Sequence, residues 1–155
     1  MLIGKDPQGV EIFYSDSSSE TLPNFVNGVY SGQKYECVEY ARRWYITQRG
    51  VTFRSVNNAL SLLTLSSMTD GKKRYPVINA EDEYPLVGDI VLFRPSRENS
   101  YYGHVAIVVR VQGDRAYLGE QNYSSTRWEN DYSRSIPIVN DRLFYPGIIG
   151  IKRLL

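Results

Sequence analysis

Between Glu36 and Gly50 the chain carries its clearest helical pattern. Cys37, Val38, Ala41, Trp44, Tyr45 and Gln48 recur on one stripe at helical spacing, while Glu39, Arg42 and Arg43 fall on the opposite side. That opposite side reads as a solvated face, with Glu39 spaced to pair with Arg43 at i,i+4. Gly50 ends the pattern as a helix C-terminus often does. A second helix is predicted from Val56 to about Leu65, capped by Ser55, with Val56, Ala59, Leu60 and Leu63 as its apolar face. "TDGKKRYPVINAEDEYP" (Thr69–Pro85) has neither period and reads as an irregular connection. The rest is strand-like. "GDIVLF" (Gly88–Phe93) is a short apolar run, and "GHVAIVVRV" (Gly103–Val111) is β-branched and nearly continuous, the signature of a central strand. "DRAYLGEQ", "SRSIPIV" and "GIIGIKRL" are further strand candidates, as is "GVEIFY" near the start, followed by a polar loop "SDSSSE" (Ser15–Glu20). Helices first and strands afterwards predict an α+β fold, with N-terminal helices packed on an antiparallel β-sheet.

Composition narrows the classes of function. At 155 residues and 42% hydrophobic, the chain suits one domain spanning 1–155 with a packed core. A net charge of +1 speaks against a nucleic-acid or membrane partner, and no apolar run approaches the ~18 residues of a membrane span. The 13 tyrosines read mainly as half-buried packing residues. The first twenty residues lack a basic start followed by an apolar run, so no secretory signal is expected. The single cysteine permits no internal disulfide, which fits a reducing cytoplasm.

That cysteine, Cys37, stands in the first helical turn, where partial positive charge and free N–H groups favour a thiolate. The plainer reading is a small buried hydrophobe, a common fate for cysteine. The only histidine, His104, opens the strongest strand. Together they supply a minimal nucleophile and base, since imidazole titrates near neutral pH. The third member follows from a hairpin register. If Val111, Gln112 and Gly113 form a three-residue loop, Arg110 faces Asp114 as a favourable charge pair and His104 faces Glu120. A two-residue loop would put them on opposite faces. One histidine and one distant cysteine offer no zinc-ligand spacing, and there is no phosphate-cradling glycine loop, so neither metal nor cofactor is expected.

"YECVEYARRWY", "GDIVLF", "GHVAIVVRV" and "YLGEQN", in that order, resemble the CHAP domains, cysteine- and histidine-dependent amidohydrolases/peptidases of the papain-like NlpC/P60 group. Within it the likeness is to the amidase domains of glutathionylspermidine synthetase/amidase and trypanothione synthetase, over roughly Tyr30 to Leu154. The resemblance implies a papain-like fold with Cys37 as nucleophile, His104 as general base and acid, and Glu120 holding the imidazole. It implies amide hydrolysis through a thioester, with the Cys37 backbone N–H in the oxyanion hole. Glutathionylspermidine is the implied substrate, a peptidoglycan amide the alternative, and a non-catalytic binding module a third reading. Arg42 and Gln33 are candidate substrate-side residues; a solvated helix charge is the plainer reading of Arg42. Many relatives carry glutamine just before the cysteine, where its amide donates to the oxyanion. Here that residue is Glu36, which as a carboxylate accepts rather than donates. The bifunctional relatives also carry an ATP-dependent synthetase domain, which has no counterpart in these 155 residues.

Overall fold

A computed structural model describes residues 1–14, 22–96 and 102–155. The "SDSSSE" segment lies outside the described residues. Two small hairpins come first: β1 (Leu2–Lys5) with β2 (Glu11–Phe13), and β3 (Pro23–Val26) with β4 (Val29–Gln33). Helix α1 (Cys37–Arg49) follows. The remaining strands are β5 (Ser67–Thr69), β6 (Arg74–Asn79), β7 (Ile90–Phe93), β8 (His104–Gln112), β9 (Arg115–Gly119), β10 (Arg134–Val139), β11 (Arg142–Leu143) and β12 (Ile148–Leu154). They form one eight-stranded antiparallel sheet in the order β11-β10-β9-β8-β7-β12-β6-β5. The sheet dominates, and one α-helix rather than a set of helices packs against it. The expected layer of N-terminal helices is corrected to that extent.

Strand β8 runs through the interior, as its continuous apolar run predicts. Val105, Ile107 and Val109 belong to the core under the helix, with Tyr40, Ala41 and Trp44. Ala106 and Val108 belong to a second core on the far face, with Leu118 and Ile136. Burial on both faces leaves no position for alternating polar residues, which is why the sequence shows none.

Helix α1 departs from its simple amphipathic reading. Gly50 does close it, in the left-handed conformation at φ 67°. Gln48, assigned to the inward stripe, is exposed. The supposed solvated face is buried: Glu39 is 0% exposed, Arg42 3% and Arg43 7%. The small β3–β4 hairpin covers this face and converts a surface ion pair into an interior network. Glu39 accepts from Ser31 Oγ (2.7 Å), Arg43 Nε (2.9 Å) and Gln121 Nε2 (2.9 Å). Arg43 also donates to the Glu11 carbonyl at 2.6 Å and to Gln121 Oε1 at 3.0 Å. Removing one member strands a buried charge, so Glu39→Ala is expected to cost about 3–5 kcal/mol of folding stability. Urea denaturation measures this; a loss below about 1 kcal/mol, the value of an exposed pair, would contradict it.

Two further expectations are corrected. The second helix is only a 3₁₀ turn, Ala59–Thr64, capped by Asn58 rather than Ser55, with the Asn58 side chain accepting from the Ser61 N–H. Polar Asn57 and Asn58 interrupt the helical face, and Ala59 and Leu62 are its buried residues. The Thr69–Pro85 stretch is not irregular throughout, since β6 lies in it and pairs with β5, which ends at Thr69. The turn between them is set by Asp70 Oδ1, which accepts from the Lys72 and Lys73 N–H groups at 2.8 Å each.

Candidate active site

Cys37 is the first residue of α1, partly buried, and it lines a cleft of about 460 Å³ together with Glu36, Asn58, Tyr102, His104 and Asn122. Its backbone N–H belongs to the helix's first turn, which lacks intrahelical acceptors. His104 opens β8 directly behind it and is 1% exposed. Gly103 brings it there in the left-handed region at φ 81°; an added Cβ would lie 3.0 Å from the Leu60 side chain and 3.1 Å from the Phe93 carbonyl.

The imidazole joins two partners. Nε2 lies 3.0 Å from Glu120 Oε1, and Cys37 is close enough to the ring to favour its charged form. With Nε2 engaged by the carboxylate, Nδ1 is the nitrogen available to the thiol. Burial opposes a charge on the ring, but Cys37 and Glu120 outweigh it and push the imidazole pKa up to about 9.

The predicted pairing arises by a different route. The β8–β9 loop has two residues, Gly113 and Asp114, because Gln112 pairs with Arg115. Arg110 therefore faces Tyr117, not Asp114, and its ion partner is Asp131 at 2.7 Å. Such a loop alone would put His104 and Glu120 on opposite faces. A bulge between Val108 and Arg110 inserts one residue into β8 and reverses the parity, so the two side chains meet.

Glu120 is 1% exposed and surrounded by donors that sequence reading did not find. Arg134 Nη2 donates to Oε1 at 2.7 Å and Arg134 Nε to Oε2 at 3.0 Å, while Ser133 Oγ makes a short hydrogen bond to Oε2. Burial alone would raise the carboxyl's pKa, yet His104 and Arg134 together hold it below the usual range. The Arg134 guanidinium lies over three rings, with centroids at 4.3 Å (Tyr123), 4.7 Å (Phe93) and 5.1 Å (Tyr145). Arg134 enters because β10 pairs with β9, setting it opposite Leu118. The residue spacing between those strands carries no signal of that pairing.

Gln121, the neighbour of Glu120, fixes the cysteine relative to the carboxylate. It is 0% exposed, and its Nε2 donates at 2.9 Å both to the Glu36 carbonyl and to Glu39 Oε1. Its Oε1 accepts from the Phe13 N–H at 3.0 Å. One side chain thus ties the residue before Cys37 to the strand end that carries Glu120.

The other two candidates are not brought to the thiol. Arg42 is no solvated charge: it donates to the carbonyls of Ser31 (2.8 Å), Phe53 (3.2 Å) and Arg54 (2.9 Å). It borders a larger cavity, about 540 Å³, that contains neither Cys37 nor His104. Gln33 lines a narrow crevice with Glu36 and Asn58 beside the cleft, and its Oε1 is buried without a hydrogen-bond partner.

A family model for the CHAP domain matches residues 28–122, which include Cys37, His104 and Glu120. The chain is 31% identical to trypanothione synthetase of Crithidia fasciculata over 117 residues, covering 72% of this chain and 18% of that protein. It is 28% identical to the bifunctional glutathionylspermidine synthetase/amidase of Escherichia coli (strain K12) over 137 residues, covering 78% of this chain and 22% of that protein. The matched part is thus about a fifth of the length of these relatives.

Proposed function

The chain belongs to the CHAP domain family, and from that premise we propose that it is a thiol amidohydrolase acting on a glutathione–polyamine amide such as glutathionylspermidine. The reading rests above all on the continuous line from thiol to imidazole to buried carboxylate at the wall of an open cleft. In this reaction the Cys37 thiol gives its proton to His104 and the sulfur attacks the amide carbon. Negative charge gathers on the carbonyl oxygen, where the Cys37 N–H can donate. His104 passes the proton to the amide nitrogen as the C–N bond breaks, which releases the amine and leaves the acyl group as a thioester. Water then attacks the thioester and gives a proton to His104. The C–S bond breaks and the proton returns to sulfur, releasing the acid. Glu120 holds the ring in place and stabilises its protonated form, and Arg134, Ser133 and Gln121 are positioning residues. We place this chemistry in the cytoplasm, where an unpaired thiol stays reduced; among the described residues no helix is long and apolar enough to cross a membrane.

The substrate class follows the names of the relatives, one of which is a glutathionylspermidine synthetase/amidase. Purified protein offered glutathionylspermidine and muropeptides side by side, with mass spectrometry of the products, is expected to release glutathione and spermidine. Cleavage of muropeptides alone would move the activity to peptidoglycan. A folded protein that cleaved neither would be a binding module.

A further inference from the structure

Among the described residues, three of the four buried carboxylates have cations, and the fourth, Asp6, accepts instead from the Tyr40 hydroxyl and two backbone N–H groups. Glu39 has Arg43, Glu120 has Arg134 and Asp89 has Arg153. Glu36 differs. It is the N-cap of α1, yet its side chain makes no capping hydrogen bond, and it has no ion-pair partner among the described residues. Its backbone is held on both sides, the N–H by the Gln33 carbonyl at 3.0 Å and its own carbonyl by Gln121 Nε2 at 2.9 Å. The residue is fixed while its side chain borders both the Cys37 cleft and the adjoining crevice. The residue is exposed, and its contact with the cleft wall raises its carboxyl pKa through partial desolvation. The helix N-terminus offers it only a partial positive charge. Among the described residues, His104 is the one titratable cation bordering the cleft, and its charge is already matched by Glu120 and Cys37. An exposed carboxylate with no ion-pair partner among the described residues, next to a nucleophile, is a complement for a cation brought by the ligand.

We infer that Glu36 is the specificity residue of the cleft and seats a positively charged ammonium of the substrate beside the thiol. It thereby selects amides that carry a cationic amine over uncharged ones. This deepens the proposed amidase reading and rests on it for the identity of the scissile bond. It also gives the carboxylate a role that an oxyanion donor cannot share, since Glu36 accepts hydrogen bonds and attracts cations.

The test compares two amides with the same glutathione acyl part, one of spermidine and one of butylamine, in the wild type and in Glu36→Gln. The ratio of kcat/KM for the spermidine amide to that for the butylamide is expected to fall about tenfold or more in the variant, because a charge-assisted hydrogen bond is replaced by a neutral one. An unchanged ratio overturns the inference. Should neither amide be cleaved, the amidase reading fails separately, and spermidine itself becomes the probe. Calorimetric titration of spermidine into Cys37→Ala and Cys37→Ala/Glu36→Gln is then expected to show about tenfold weaker binding in the second. Equal affinities, or no binding to either, would reject the ammonium subsite.

Discussion

Cys37→Ala is expected to remove amide hydrolysis, with kcat/KM falling by about 10⁴-fold or more, as when the attacking atom of a hydrolase is deleted. The fold should survive. Cys37 is only partly buried, sits in the first turn of α1, and carries none of the network that anchors the helix through Glu39, Arg43 and Gln121. Far-UV circular dichroism and a melting curve close to wild type, with no acyl-enzyme adduct on mass spectrometry, complete the expected result. A variant that keeps its fold and hydrolyses within tenfold of the wild-type rate would remove Cys37 from the mechanism.

The second large effect belongs to the carboxylate behind the histidine and has a sign that can be read. His104 is pushed up to about 9, against burial, by Cys37 and Glu120. The imidazolium formed when the ring takes the thiol proton is the form that protonates the leaving amine, and it is lost as pH rises through about 9. Measured on an uncharged amide, kcat/KM should carry an alkaline limb there. Glu120→Gln removes the anion that supports the imidazolium, so the limb should move down and the rate fall by about 10²–10⁴-fold, less than for Cys37→Ala. Arg134→Met removes a cation instead, so the limb should move up, and Arg134→Lys, which keeps the charge, should bring it back. Opposite shifts separate an electrostatic role from a merely structural one. Because Glu120→Gln leaves Arg134 buried without its carboxylate, the double variant Glu120→Gln/Arg134→Met restores charge balance. Its limb should still lie below that of the wild type. Limbs that stay in place in all four proteins would show that Glu120 and Arg134 do not set the protonation of His104.

Some of this was legible in the residues themselves. The helical stripe and Gly50 place Cys37 at the start of α1, and the uninterrupted β-branched run marks β8 as interior, because side-chain periodicity is a local property that burial imposes directly. With one cysteine and one histidine, the chain left no other thiol–imidazole pair to consider.

What depended on tertiary structure was where each face of those elements went. Glu39, Arg42 and Arg43 look solvated on a helical wheel and are buried, since nothing local announces that the β3–β4 hairpin will cover them. His104 meets Glu120 through a two-residue loop and a compensating bulge, and a bulge is an extra residue whose position the alternation of a doubly buried strand cannot reveal. Arg134 and Gln121 act at the site through contacts between strands and helix that lie far apart in sequence. Periodicity determined which elements form, and with them the nucleophile and its base. Long-range packing decided which charges lost their water and found partners, and it left Glu36 exposed on the cleft with no ion-pair partner among the described residues.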